Sequence, residues 1–348
     1  MISHLRTNHR NNPLGIEEEV RFSFVADEGD AFAFRLLGQD AKTVLFERTV
    51  RLEEAIGFGI EYPLLPGIRY FWQINDSQLA SFLIAEPLDA PFITPESTIT
   101  HPVMFTEFET DEVQAAWLFI TGLGFYRAFI NGKRVGNDYL TPGLNDYRSY
   151  LRYQTYDVLP LLQKSNKLEV VLGDGLYKGR MGFDNHPGNI YGDSYLLCAK
   201  LVIVKKDGTK QVVKTGEDWK ARPSEFSFST IYDGEIRDAN ADTHSVTSVS
   251  LAEESFHLVP QFNPTITEQE LLKPTLIHTP SGEEVLDFGQ NMVGFARFVC
   301  RETKGTKIHL QYGEILQNGN FYRENLRSAK AELWYTASGK ETTVDAFF

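Results

Sequence analysis

The chain has 348 residues, a length that predicts two or three domains at about 150 residues each. Its formal net charge of −13, from 47 Asp and Glu against 34 Lys and Arg, argues against nucleic acid, because an acidic surface repels phosphate and no basic stripe interrupts it. The same charge suits plain solubility or a neutral sugar ligand. No apolar run approaches the roughly 18 residues of a membrane-spanning helix, so no membrane partner is expected. Residues 1–10 are polar and lack the apolar centre of a secretory leader, which makes the cytoplasm the default location. The two cysteines, Cys198 and Cys300, lie in apolar strand-like runs and read as core thiols, without the His or Cys neighbours of a metal or catalytic site.

Residues 1–94 predict a small sandwich of the fibronectin type III kind. Residues 20–25 and 31–36 alternate apolar and polar positions with period two, as half-buried strands do. The run from Leu65 through Pro66 to Tyr70 and Trp72 has the form of a tyrosine corner, in which a phenol ties the strand back to the loop before it. Tyr70 and Trp72 share one face and read as core rather than as a carbohydrate platform. A Pro-rich connector over 87–95 marks the first boundary.

Residues 95–262 predict a jelly-roll β-sandwich. A strand over 126–130 runs into Asn131-Gly132, a dipeptide ready for the positive φ of a two-residue hairpin turn, and returns through 133–135. Strands follow over 153–158 and 168–172, the latter ended by Gly173-Asp174-Gly175, with no helix longer than the turn around 158–162. Further strands are read over 196–204 and 211–214, and a stretch over 224–230 leads to Tyr232-Asp-Gly-Glu235. A second boundary falls near 261–264. Residues 263–348 then read as a partial third β-sandwich unit, with short strands over 277–280, 284–288, 295–300, 307–312, 333–336 and 342–348. The last segment stays apolar to Phe347 and Phe348, which reads as a cut through a domain and predicts uncovered apolar surface. The chain as a whole is expected to be all-β.

The segments TGLGFYRAFINGKRVG, LTPGLNDY, YQTYDV and LGDGLYKGR, followed by Tyr232-Asp-Gly-Glu235, Asp287-Phe-Gly-Gln-Asn-Met-Val-Gly294 and Glu324-Asn-Leu-Arg-Ser-Ala329, closely resemble the N-terminal β-sandwich modules of bacterial α-L-rhamnosidases. The blocks keep the family's order over roughly residues 95–335. The resemblance implies a glycoside hydrolase whose acid–base chemistry belongs to a C-terminal (α/α)6-barrel. That missing catalytic domain would be a partner of these modules, and no catalytic residue is carried over. It also implies similarity to a calcium-dependent rhamnose-binding module. The loops then place Asn145, Asp146, Asn189 and Asp193 as candidate calcium ligands, with Asp184 and Asn185 beside them, since calcium takes six to eight oxygen ligands. Asn145, Asp146, Tyr147, Tyr177 and Tyr191 become candidate contacts to a rhamnose-containing oligosaccharide or glycoside. Where the family commonly has Gly-Asp-Gly-Trp-Tyr, this chain has Leu176, which removes a stacking surface. The same loops are equally read as packing against neighbouring modules.

A second reading remains open, a self-sufficient glycoside hydrolase with a carboxylate pair at a β-domain interface. Hydrolysis of a glycoside ordinarily needs one carboxyl held protonated and a second as base or nucleophile. Asp174, Asp233, Glu235, Glu314 and Glu324 are the carboxylates weighed for it, and each is also read as a turn former or ion-pair partner.

Overall fold

Period-two burial builds the first unit, which comprises Met1–Leu88 and Leu258–Pro264. The structure is a computed structural model describing residues 1–17, 19–180 and 188–346. In Ala31–Leu37 the rings of Phe32 and Phe34 turn inward, and in Arg69–Ile74 the side chains of Tyr70, Trp72 and Ile74 do the same. These strands belong to a five-stranded sheet in the order Leu14–Ile16, Ala80–Ile84, Arg69–Ile74, Ala31–Leu37, Val44–Arg51. A two-stranded antiparallel sheet, Ile2–Thr7 with Phe22–Ala26, supplies more of the core. Phe22 anchors it, its ring 4.9 Å from Phe34 and 5.0 Å from Trp72. The Leu65 N–H donates to the Tyr70 phenol at 3.0 Å, the tie that the Leu-x-Pro…Tyr run predicts. Tyr70 and Trp72 are both buried, so neither offers a platform to a ligand.

The second unit comprises Asp89–His257 and Thr265–Phe348. Its first part is a sandwich of long antiparallel strands. On one side Phe125–Ile130, Ser165–Gly173, Pro102–Glu109 and Lys220–Pro223 lie side by side, and on the other Ile93–Pro95, Leu196–Lys205, Val113–Leu123 and Leu151–Asp157, with Thr247–Leu251 joining the two edges. Leu168, Val170 and Leu172 from one side meet Leu197, Ala199, Leu201 and Ile203 from the other in a single buried cluster. Asn131 and Gly132 take φ of 54° and 75°, and Ile130 pairs with Lys133 across them, the two-residue hairpin expected. The helical turns here, Leu159–Leu161 and Gly175–Lys178, are short, as the strand-dominated sequence requires.

The second part draws on a segment far upstream of it. Phe226–Thr230 and Gly234–Asp238 form a hairpin, and Gly234–Asp238 pairs in parallel with Glu332–Thr336, which pairs antiparallel with Lys307–Gln311. The hairpin thus leaves the jelly-roll sheets and becomes half of a four-stranded sheet of the C-terminal module. Leu333 and Tyr335 point from that sheet into a small core with Cys300 and Val344. Arg297–Cys300 and Thr342–Asp345 pair beside it. Cys198 and Cys300 are free and buried, as expected of core thiols. Among the described residues no helix is long and apolar enough to cross a membrane.

Candidate functional site at the jelly-roll end

The strand Ser165–Gly173 ends where the chain turns through Asp174 into Gly175–Lys178. Gly175 has φ of +56°, and a Cβ there would lie 2.5 Å from the Phe125 nitrogen, so the turn requires glycine. It sets Asp174 and Lys178 around Tyr195. The Tyr195 hydroxyl donates to Asp174 Oδ1 at 2.5 Å. Lys178 Nζ lies 3.8 Å from the Tyr195 ring centroid and donates to the Asp193 carbonyl at 2.6 Å. His101, 2 % exposed, completes the cluster with its Nε2 at 3.6 Å from Asp174 Oδ1. Burial holds His101 below the ordinary imidazole range, outweighing the nearby Asp174 charge. Burial likewise lowers the Lys178 ammonium and raises the Tyr195 phenol, the latter reinforced by the Asp174 charge. Sequence reading missed His101, Lys178 and Tyr195, whose only signal was proximity to the loops.

The three tyrosines singled out from the sequence do meet. The Tyr147 ring centroid is 5.2 Å from that of Tyr177 and 4.8 Å from that of Tyr191. Tyr147 and Tyr177, 7 % and 6 % exposed, pack inward, while Tyr191 stays half-buried at the rim. Burial raises the pKa of Tyr147 and Tyr177 alike.

The oxygen donors are differently placed. Asn145 is buried, and its Oδ1 accepts from Arg152 N at 3.1 Å and Arg152 Nε at 3.0 Å. Asp146 is exposed, but its carboxylate closes its own turn, accepting from Ser149 Oγ at 2.7 Å and Arg148 N at 3.3 Å. Asp193 accepts from Ser194 Oγ at 3.2 Å, and Asn189 is exposed at φ 55°. Asp184 and Asn185 lie outside the described residues. The Asn145–Asp146 pair does not fit a calcium ion in this arrangement, because the Arg152 guanidinium already occupies the amide oxygen and would repel a cation. Among the described residues no group of three or more His, Cys, Asp or Glu side chains is arranged to hold a metal.

The carboxylates weighed for catalysis are engaged in structural contacts. Arg180 Nε and Nη2 grip Asp233 at 2.7 and 2.6 Å, the Lys330 N–H adds 3.2 Å, and Arg180 reaches Ser328 Oγ at 3.1 Å. Burial works to raise the Asp233 pKa, but the Arg180 and Lys330 hydrogen bonds prevail and hold it below the ordinary range. Glu314 accepts from Asn325 Nδ2 at 2.9 Å, Glu324 meets the Tyr322 hydroxyl at 3.4 Å, and Glu235 is buried. Elsewhere Glu332 is opposed by burial yet pulled down to about 2 by Gln311, His309, Trp334 and Arg323. Asp89 and Glu169 are likewise held below the ordinary carboxylate range by Lys and Arg partners that outweigh burial.

Comparison with known proteins gives a consistent picture. Residues 111–275 match the family model of the α-L-rhamnosidase N-terminal domain, and residues 277–348 match that of the bacterial α-L-rhamnosidase concanavalin-like domain. An α-L-rhamnosidase of Streptomyces avermitilis is 35% identical over 245 residues, 66% of this chain and 24% of that protein. One from Alteromonas sp. is 29% identical over 268 residues, 72% of this chain and 29% of that protein. Among solved structures, the native α-L-rhamnosidase of Aspergillus terreus superimposes with a TM-score of 0.88 at 28% identity, over 100% of this chain and 45% of that one. The S. avermitilis α-L-rhamnosidase complexed with L-rhamnose shares the fold, with a TM-score of 0.86 at 19% identity, over 100% of this chain and 54% of that one. The chain thus spans about a quarter of the length of the curated relatives it matches.

Proposed function

Because the chain belongs to the α-L-rhamnosidase family, as its N-terminal β-sandwich modules, we propose that these modules are a noncatalytic half of such an enzyme. They support a catalytic domain lying outside these residues and contact the α-L-rhamnoside without cleaving it. The observation that carries this reading is the state of the carboxylates. A glycosidase general acid needs a raised pKa so that it is protonated when the bond breaks. Here Asp233, gripped by Arg180 and the Lys330 N–H, is held the other way, in its charged form, and Glu314 and Glu324 are tied to Asn325 and Tyr322. Incubation of the chain with p-nitrophenyl α-L-rhamnoside is expected to release no p-nitrophenolate above buffer. Release that survives repurification and is lost in Asp233→Asn or Glu314→Gln would instead make the chain a hydrolase.

The sugar contact belongs to the jelly-roll end. Tyr191 stands at the rim with Asp146, Asn189 and Asp193 exposed in the same two loops, and Tyr147 and Tyr177 pack behind Tyr191 and hold it. A half-buried phenol offers a ring to the C–H face of a sugar and a hydroxyl to its oxygens. Such a contact is weak, since each sugar hydroxyl merely exchanges water for protein.

A further inference from the structure

We propose that the outer face of the four-stranded sheet in the C-terminal module is a second glycan-binding site, built around Trp334 and selective for neutral sugars. Strand alternation puts Trp334 and Thr336, Ile236 and Asp238, and Lys307 on one face of that sheet, opposite the buried Leu333 and Tyr335. That face forms the floor of a groove of ≈ 680 Å³, walled by residues 98–100, 224–227 and 241–242. The volume falls within the roughly 300–1,000 Å³ of small-ligand sites.

The indole is held as a platform. His309, its partner on the neighbouring strand, stacks on it with centroids 3.6 Å apart and planes at 10°. Trp334 Nε1 donates to Glu332 Oε2 at 3.2 Å, and Glu332 is itself fixed by Gln311 at 3.1 Å and Arg323 at 3.2 Å. One ring face is thus covered and the N–H is engaged, so what lines the groove is apolar ring, with Ile236 abreast of it. An aromatic side chain held this firmly loses little entropy when a ligand lands on it. The remaining groups select the ligand. Glu225 is neutralised by Arg237 at 2.7 Å. Asp238 and Asp242 line the groove with Lys307, a balance that repels anions. Asn240 N and His244 N donate to one oxygen of each carboxylate, at 2.9 and 3.0 Å, and the second oxygen of each is left to a ligand. Sugar hydroxyls suit it, donating to the two carboxylates and accepting from the ammonium, while the C–H face of a pyranose meets the electron-rich ring. The groove lies on a different sheet from the jelly-roll loops, so the inference does not depend on sugar contact there.

The test uses the tryptophans themselves. Of the four, Trp72, Trp117 and Trp219 are buried and Trp334 is 36 % exposed, so acrylamide quenching of the intact chain reports Trp334. Rutinose, a neutral rhamnosyl disaccharide, is expected to protect the fluorescence saturably. Measured in a Tyr191→Ala background, so that contact at the jelly-roll end adds nothing to the signal, calorimetric affinity should fall on the order of tenfold in Trp334→Ala and less in Trp334→Phe. Matching melting curves for the variants exclude a folding defect, and if Trp334→Ala fails to fold, the Phe variant and the quenching assay decide. Absence of saturable protection overturns the proposal. So does an affinity that survives loss of the ring, or shielding of Trp334 that tracks protein concentration instead of sugar, which would mark the face as a protein interface.

Discussion

His101 is buried against Tyr195 and Asp174 with its pKa held low by desolvation. An imidazole whose folded pKa lies below its unfolded value of about 6.5 binds protons more readily in the unfolded chain. Its share of stability is therefore fully present above that value and is lost as pH falls through the folded pKa. Carboxylates held low, such as Asp233 and Glu169, lose their share in a separate window below about pH 4. Urea unfolding is expected to give a lower midpoint at pH 5.5 than at pH 7.5, with the gap narrowed in His101→Gln. An equal gap in the variant would place the titration elsewhere. At this scale the sequence was legible in part. Tyr147, Tyr177 and Tyr191 were correctly drawn to one place, because loops at one end of a jelly roll converge. Their burial was not legible, nor was the use of Asn145 by Arg152, because an Asn-Asp pair looks alike in a sequence whether it binds a ligand or its own turn.

The parallel pairing of Gly234–Asp238 with Glu332–Thr336 is the joint between the jelly roll and the C-terminal module. Gly234 sits at φ +89°, and a Cβ there would lie 1.8 Å from the Glu332 carbonyl oxygen. Gly234→Ala is therefore expected to cost about 3 kcal/mol or more, from the strained backbone and the clash together. Breaking the Arg180–Asp233 grip beside it with Asp233→Ala should cost about 2 kcal/mol. Denaturant unfolding followed by far-UV circular dichroism reads both, and wild-type midpoints would mean that the joint carries no stability. The hairpin at Asn131-Gly132 and the Tyr70 tie were readable from neighbouring residues, because their causes are local. The destination of the hairpin formed by Phe226–Thr230 and Gly234–Asp238 was not. Residues 224–235 read as part of the jelly roll, and only pairing with residues about a hundred positions downstream reveals their sheet.

Across the C-terminal module, apolar side chains face solvent, among them Leu276, Leu286, Val293, Phe295 and Ile315. Phe347 and Phe348, which the sequence pointed to for the same reason, lie outside the described residues. Leu276 and Leu286 are partners across one hairpin, and exposed apolar side chains brought together in this way favour association. Light scattering of residues 1–348 is expected to show concentration-dependent association, and a dye that reports apolar surface should brighten. A clean monomer with no dye response would contradict this. The modules' proposed role, to contact an α-L-rhamnoside without cutting it, is tested most directly by saturation-transfer difference NMR with methyl α-L-rhamnoside. Transfer to the sugar ring protons is expected, reduced in Tyr191→Ala and unchanged by a calcium chelator, given that Arg152 holds the Asn145 oxygen. Absence of transfer, or transfer equal in Tyr191→Ala and wild type, would contradict contact at the jelly-roll end, and transfer abolished by the chelator would restore a calcium-held site in its place.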